Sequence, residues 1–264
     1  MARDRPIASL ASADEESLVA AVRERFAAGA LYTDVCPGVV LFANPFSWEV
    51  SAGLYGADAA RRYCAAGAAA APGDETLPPH VYAIAERAYR KAALRLFAHA
   101  GTDADELPAD QSILISGESG AGKTETLKLT IAFLARASGA GAGAAHAIAA
   151  AIAATNPLLE AFGNARTLRN DNSSRFGKHV ALRFGRRAHA CALVSAEVRV
   201  FLLERSRVVA VGPDERSFHI FYQLLAGGRR TLAERDGACA GAPAARDTAP
   251  AVSYTHLRAH ETDS

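Results

Sequence analysis

A glycine-rich segment at residues 117–124 constrains this chain more than any other feature of its sequence. It reads GESGAGKT, and it matches without a mismatch the phosphate-loop pattern of Gly, four residues, Gly, Lys and then Ser or Thr. At this chain's own residue frequencies, roughly 0.003 accidental matches are expected. A short apolar run at 112–116 precedes the segment, and apolar residues at helical spacing over 125–136 follow it. The sequence therefore predicts a strand, a phosphate-binding loop and a helix in succession.

The residue types of this segment suit phosphate binding. Glycines let the backbone curl so that amide N–H groups point at phosphate oxygens, and the following helix adds the positive end of its dipole. Lys123 is predicted to place its ammonium between the β- and γ-phosphates, and Thr124 to offer its hydroxyl to Mg²⁺. The predicted phosphate-binding residues are those of the loop itself: Gly117, Glu118, Ser119, Gly120, Ala121, Gly122, Lys123 and Thr124.

The composition argues against several classes of protein. With 29 basic and 28 acidic residues the net charge is +1, which gives no support for a surface that binds nucleic acid or anionic membranes. The N-terminus has no apolar signal segment, and residues 139–155 are mostly Ala and Gly, which insert weakly into a bilayer. The four cysteines form neither a zinc nor a disulfide pattern. We therefore expect a cytoplasmic chain with no nucleic-acid partner and no membrane span.

Strand-forming residues are concentrated in the first and last thirds of the chain. Residues 32–44, broken by Pro37 and Gly38, predict a strand pair, and residues 178–184 predict a second pair with 188–194 through a turn at 185–187. Residues 198–203 predict a further short strand.

Helical patterns fill much of the remaining sequence, in which 61 alanines raise both helix propensity and apolar content. The Ala-, Gly- and Pro-rich stretch at 65–73 predicts a surface loop, and the residues after 227 lack periodicity and predict disorder. Helices are predicted at 15–26, about 80–99, 125–136, 144–155, from Asn156–Pro157 onward, and at 218–225.

A second polar segment, residues 170–177, reads NDNSSRFG. Taken alone it is typical of a solvated connection. Beside a phosphate loop it gains another interpretation, because a γ-phosphate with Mg²⁺ needs a second loop of hydroxyl and amide donors. Residues alone leave both interpretations open.

Several segments together resemble the myosin motor domain. Residues 117–125 (GESGAGKTE) and 156–165 (NPLLEAFGNA) resemble motifs of that family, and residues 169–178 (RNDNSSRFGK) are similar to its switch I. Further matches occur in the family's order at 44–46, 79–83, 202–208 and 218–225. The resemblance implies an α/β fold of the P-loop NTPase type, a mixed sheet with flanking helices, present here as an incomplete, truncated motor core.

The resemblance also implies roles for individual residues, with ATP and Mg²⁺ as ligands. Asn170 and Ser173 would contact the nucleotide phosphates, and Ser174 would join Thr124 at Mg²⁺. The residues implied in catalysis are Lys123, Ser173 and Arg175.

The adenine side is less regular. Asn44 and Pro45 resemble the start of the adenine-pocket motif, but the tyrosine expected soon after them is displaced to Tyr55. Trp48 is an alternative stacking partner for the purine, or else a buried packing aromatic.

Other parts of a motor are not evident in this sequence. The resemblance implies that Arg175 pairs with a switch II glutamate, and no switch II motif follows residue 225, so we expect Arg175 to be exposed or to have a substitute partner. The actin-binding region is likewise not evident. Residues 1–226 are thus predicted to be a partial motor domain, and 227–264 a disordered or non-native tail.

We therefore expect the ATP-binding part of an actin-based motor, in the cytoplasm and cytoskeleton as part of a myosin complex. Actin filaments would be partners of the full-length parent, and ATP or ADP the ligand of this chain. The alternatives are a non-catalytic nucleotide-binding or scaffold domain derived from a motor, and a nucleotide kinase or GTPase, which the missing Asn-Lys-x-Asp motif disfavours.

Overall fold

A computed structural model describes residues 6–7, 14–69, 77–97, 110–138, 142–187 and 190–235. The chain divides into two compact units, Met1–Phe221 and Tyr222–Ser264. In chain order the elements are α1 (Glu15–Ala27), β1 (Tyr32–Cys36), β2 (Val39–Phe42), α2 (Trp48–Ser51), a 3₁₀ turn (Ala52–Leu54), α3 (Ala57–Ala69), α4 (Val81–Phe97), α5 (Lys123–Ala137), α6 (Ala142–Gly163), β3 (Asn164–Ala165), β4 (Ser173–Ser174), β5 (Gly177–Arg187), β6 (Ala190–Phe201), a 3₁₀ turn (Arg205–Val208) and α7 (His219–Arg235).

The strands form three antiparallel pairs, β1 with β2, β3 with β4 and β5 with β6. Within the described ranges these pairs are not joined into one sheet, so the single mixed sheet stays a prediction. The strand predicted at 112–116 is not formed, because these residues pair with no other described strand. Side chains still alternate there: Ile113 packs against the core, while Leu114 is 92% exposed.

The main core lies where α4 and α5 meet β1. Tyr82 of α4 stacks on Phe133 of α5 with ring centroids 4.8 Å apart, and both side chains are almost fully buried. Leu31 and Tyr32 cover them from the first strand pair. This packing fixes α5, and therefore the loop that precedes it, against the rest of the first unit.

Several predicted elements are confirmed. The first strand pair and the helices at 15–26, 80–99 and 125–136 are present within a few residues of their predicted bounds. Cys36, Cys64 and Cys191 are free thiols, and Cys239 lies outside the described residues. Across the described ranges, no helix is both long and apolar enough to cross a bilayer.

Five boundary predictions are wrong. Residues 65–69 continue α3 instead of opening a loop, because their alanines favour helix. The two helices predicted around Asn156 are one: Pro157 removes a single backbone bond inside α6, whose alanine-rich turns continue.

The other three concern β5, β6 and α7. The predicted turn at 185–187 is part of β5, and the further strand predicted at 198–203 belongs mostly to β6, with which β5 pairs along its whole length. Helix α7 runs to Arg235, into the segment predicted to be disordered. Residues 236–264 lie outside the described residues.

Candidate nucleotide-binding site

The predicted phosphate loop has the backbone its glycines allow. Gly117, Gly120 and Gly122 have φ angles of +155°, +85° and +94°, a region that favours glycine. Gly122 is the N-cap of α5 and no side chain caps the helix. The first N–H groups of α5 are therefore open to a ligand, with the positive end of the helix dipole behind them.

Lys123 is folded over this loop. Its Nζ donates to the carbonyl oxygen of Gly117 at 2.6 Å and to that of Glu118 at 2.7 Å. The ammonium is thus held against the first residues of the loop. An anion bound by the loop would meet both the backbone N–H groups and this charge.

The second polar loop is held at both ends by a short strand pair. Asn164 lies opposite Ser174 and Ala165 opposite Ser173 in the β3–β4 pair. The N–H of Arg175 also donates to the carbonyl of Gly163 at 2.8 Å. The loop is therefore anchored at the end of α6 rather than loosely solvated.

The structure brings the two loops together. The hydroxyl oxygens of Ser119 and Ser173 lie 2.8 Å apart, and Ser173 is 1% exposed. Asn170 Nδ2 donates to Ser119 Oγ at 3.4 Å, and Arg175 donates to Ser173 Oγ at 3.2 Å. At the rim, Arg169 lies 3.5 Å from Glu118. Two residues predicted on the second loop, Asn170 and Ser173, thus contact the first, and Arg175 reaches it only through Ser173.

Arg175 does have a substitute partner. Its Nε donates to the carboxylate of Glu204, which also accepts from Arg207 Nε at 3.0 Å. Arg207, with a side chain only 6% exposed, reaches Glu215 at 2.9 Å as well. Hydrogen bonding from Arg207 and Arg175 lowers the pKa of Glu204, so this carboxylate stays charged. Sequence reasoning missed this residue because its pairing depends on the fold.

Asn172 is a second residue that sequence reasoning missed. Its Nδ2 donates to Glu160 Oε2 at 3.2 Å, and its Oδ1 accepts from Asn164 Nδ2 at 3.0 Å. The same Oδ1 lies 3.0 Å from Nε2 of His219. These contacts link the second loop to α6 and to the start of α7, and no local sequence signal indicates them.

The structure places the predicted adenine-side residues in two different regions. Asn44 touches the phosphate loop, donating from Nδ2 to the carbonyl of Gly120 at 3.2 Å, and Pro45 follows it. Tyr55 instead packs in the aromatic core, with its hydroxyl 2.9 Å from that of Tyr32. The side chain of Trp48 lies outside the described residues, so its stacking stays a prediction.

The predicted metal ligands lie on the two loops that touch. Thr124 is partly buried in the first turn of α5, and Ser174 is exposed on β4. Hydroxyl oxygens are hard donors of the class that Mg²⁺ accepts alongside phosphate and water. The donor chemistry of these residues therefore fits Mg²⁺.

Comparisons with a family model and with individual known proteins point to the same family. The model of the family "Myosin head (motor domain)" matches residues 5–236. The chain is 37% identical over 227 residues to unconventional myosin-VI of Bos taurus. The aligned region covers 86% of this chain and 15% of that protein. It is 43% identical over 222 residues to Myosin-1 of Arabidopsis thaliana, covering 84% and 16%. To unconventional myosin-Ia of Gallus gallus it is 41% identical over 221 residues, covering 84% and 19%. The chain thus spans less than a fifth of the length of these relatives.

Proposed function

The chain belongs to the myosin head (motor domain) family, and from this premise we propose that it is the ATP-binding part of an actin-based motor. The observation that carries the proposal is the contact between Ser119 and Ser173, at 2.8 Å. It joins a phosphate loop to the second polar loop, and a nucleoside triphosphate with Mg²⁺ needs donors from two such loops.

The proposed role of each residue follows from the chemistry of its donor groups. The N–H groups of the loop and of the first turn of α5 bind phosphate oxygens, and Lys123 exchanges its two carbonyl contacts for phosphate contacts. Ser119, Ser173 and Asn170 supply hydroxyl and amide groups from both loops. Thr124 and Ser174 would hold Mg²⁺, which supplies charge neutralisation of the phosphates when bound. Asn44 orients the loop through Gly120, with Pro45 beside it.

Further properties follow from the family as proposals. Residues 1–226 form part of the motor domain, with actin filaments as partners of the whole protein in the cytoplasm and cytoskeleton. A mixed sheet of the P-loop NTPase type is likewise part of the proposal.

One observation favours a second candidate, a non-catalytic nucleotide-binding or scaffold domain. Arg175, a residue implied in catalysis, is bound to Glu204 of this same chain. While it is so bound, its Nε is occupied by Glu204, and its Nη1 donates to Ser173 Oγ at 3.2 Å. Nucleotide binding and nucleotide hydrolysis by this chain therefore need separate tests.

A titration with a fluorescent ADP analogue and Mg²⁺ tests binding. We expect saturable binding, and at least about tenfold weaker affinity in Lys123→Ala because a charge-assisted phosphate contact is lost. Lys91→Ala, which removes an exposed lysine of α4, is the matched control and should bind as the original chain does. Equal affinity in all three chains would overturn the proposal. Steady-state ATP hydrolysis with and without actin then separates motor from scaffold.

A further inference from the structure

A cleft of about 470 Å³ lies between α5 and α6, and Tyr55, Tyr82 and Thr124 also line it. Leu127, Ile131 and Ala135 line it from α5, and Ala149 and Ala153 from α6. Its volume falls in the range of pockets that hold small organic ligands, about 300–1,000 Å³. The facing alanines end at Cβ, so the two helices leave this space open between them.

The charged groups of the cleft are of one sign. Lys128, Arg136 and Lys178 line it together with His146, and among the described lining residues none is Asp or Glu. Lys128 is paired with Glu125 at 2.7 Å, on the exposed side of the helix. The cleft thus combines apolar walls with positive charge, which complements an apolar molecule with an anionic end.

Lys178 is the cation best suited to such an anionic end. Its Nζ donates to Oδ1 of Asn156 at 2.6 Å, and Asn156 is only 8% exposed. This partner is a neutral amide, so the bond does not neutralise the ammonium. Burial lowers the pKa of Lys178, and the nearby charge of Glu160 opposes that effect. A carboxylate in the cleft would supply a compensating charge at short range.

We propose that this cleft binds a small amphipathic carboxylate, with its apolar body between α5 and α6 and its carboxylate on Lys178. The cleft meets the phosphate loop only at Thr124 and extends along α5 to Arg136, near the last turn of that helix. The proposed occupant carries no phosphate and needs no contact with Lys123 or Ser173, so the proposal does not depend on nucleotide binding.

Titration calorimetry of the full chain with decanoate, below its micelle concentration, tests the proposal. We expect saturable binding of decanoate and at least about fivefold weaker binding of decanol, which has the same chain but no charge. Lys178→Met should reduce decanoate affinity to that of decanol. Lys91→Met, outside the cleft, is the matched control and should change nothing.

A second pair of variants tests the location without touching a charge. Ala150 is exposed and lines the cleft, whereas its neighbour Ala151 is exposed and does not. Ala150→Phe should abolish decanoate binding, and Ala151→Phe should preserve it, with thermal melting showing that both chains fold. Equal binding of decanoate and decanol, or equal binding by the two phenylalanine variants, would overturn the proposal.

Discussion

The hydroxyl oxygens of Ser119 and Ser173 lie 2.8 Å apart, joining the phosphate loop to the loop that follows β3. Ser173 is 1% exposed and also accepts a hydrogen bond from Arg175. Because a buried hydroxyl without a partner is costly and Ser119 is itself exposed, the bond is expected to matter chiefly for Ser173.

This dependence should appear as non-additivity. We expect the unfolding free energies of Ser119→Ala, Ser173→Ala and the double variant to show a coupling of about 0.5–1.5 kcal/mol, because the second substitution finds the bond already lost. Urea denaturation measures it. Ser17→Ala, whose hydroxyl bonds Asp14 in α1, is the control partner for Ser173→Ala and should be additive. Additivity in both pairs would show that the contact has no energetic weight.

Glu204 should hold Arg175 in place. Glu204→Gln keeps the shape but removes the negative charge between Arg175 and the buried Arg207, so we expect a loss of about 1 kcal/mol in unfolding free energy. Denaturant titration measures it. Glu197→Gln removes a carboxylate that pairs with Arg199 on the surface, and it should have a smaller effect. A loss no greater than that of the control would contradict the role assigned to Glu204.

Gly163, the last residue of α6, should not tolerate a side chain. A Cβ there would lie 2.4 Å from the ring of Phe176, so Phe176 and the loop before it must shift. We expect Gly163→Ala to destabilise the chain by about 1–3 kcal/mol and to weaken binding of the fluorescent ADP analogue.

Gly143, in the first turn of the same helix, is the control for that variant. A Cβ there meets nothing within 4 Å, so Gly143→Ala should be neutral or stabilising by up to about 1 kcal/mol. Thermal melting of the Gly163→Ala and Gly143→Ala chains measures the change in stability of each variant. Similar effects at both glycines would mean that helix propensity, not the contact with Phe176, decides the outcome.

His80 should make stability depend on pH. Its side chain is 3% exposed among the rings of Tyr32, Tyr63 and Tyr82, and burial lowers its pKa from 6.5 to about 4. Between these values the unfolded chain binds a proton that the folded chain does not, so stability falls as pH drops from 6.5 toward 4. Through this group alone, the free energy of unfolding at pH 5 should be about 2 kcal/mol lower than at pH 7.5.

Comparison with His80→Gln isolates this contribution. Burial also lowers the pKa of His219 and raises that of Glu86, and both chains share those groups. Unfolding free energies at pH 5 and pH 7.5 should therefore differ by about 2 kcal/mol more in the original chain than in the variant. Equal differences would contradict the assignment.

The sequence by itself determined the features that depend on local spacing. The glycine-rich loop at 117–124, its helix α5, the first strand pair and helices α1 and α4 follow from glycine positions, apolar periodicity and turn residues. It also determined the family, because ordered motifs over most of the chain matched it. The sequence motifs alone are therefore enough to single out both loops as candidates for the site.

The tertiary structure decided what depends on neighbours distant in sequence. Residues 112–116 have strand-like alternation, but a strand needs a hydrogen-bonded partner, and none of the described strands pairs with them. The partner of Arg175 is Glu204, and that of Asn172 includes His219, because the fold places α6, the second loop and the later turns side by side. Such contacts join residues that no local pattern links, so only the folded chain could assign them.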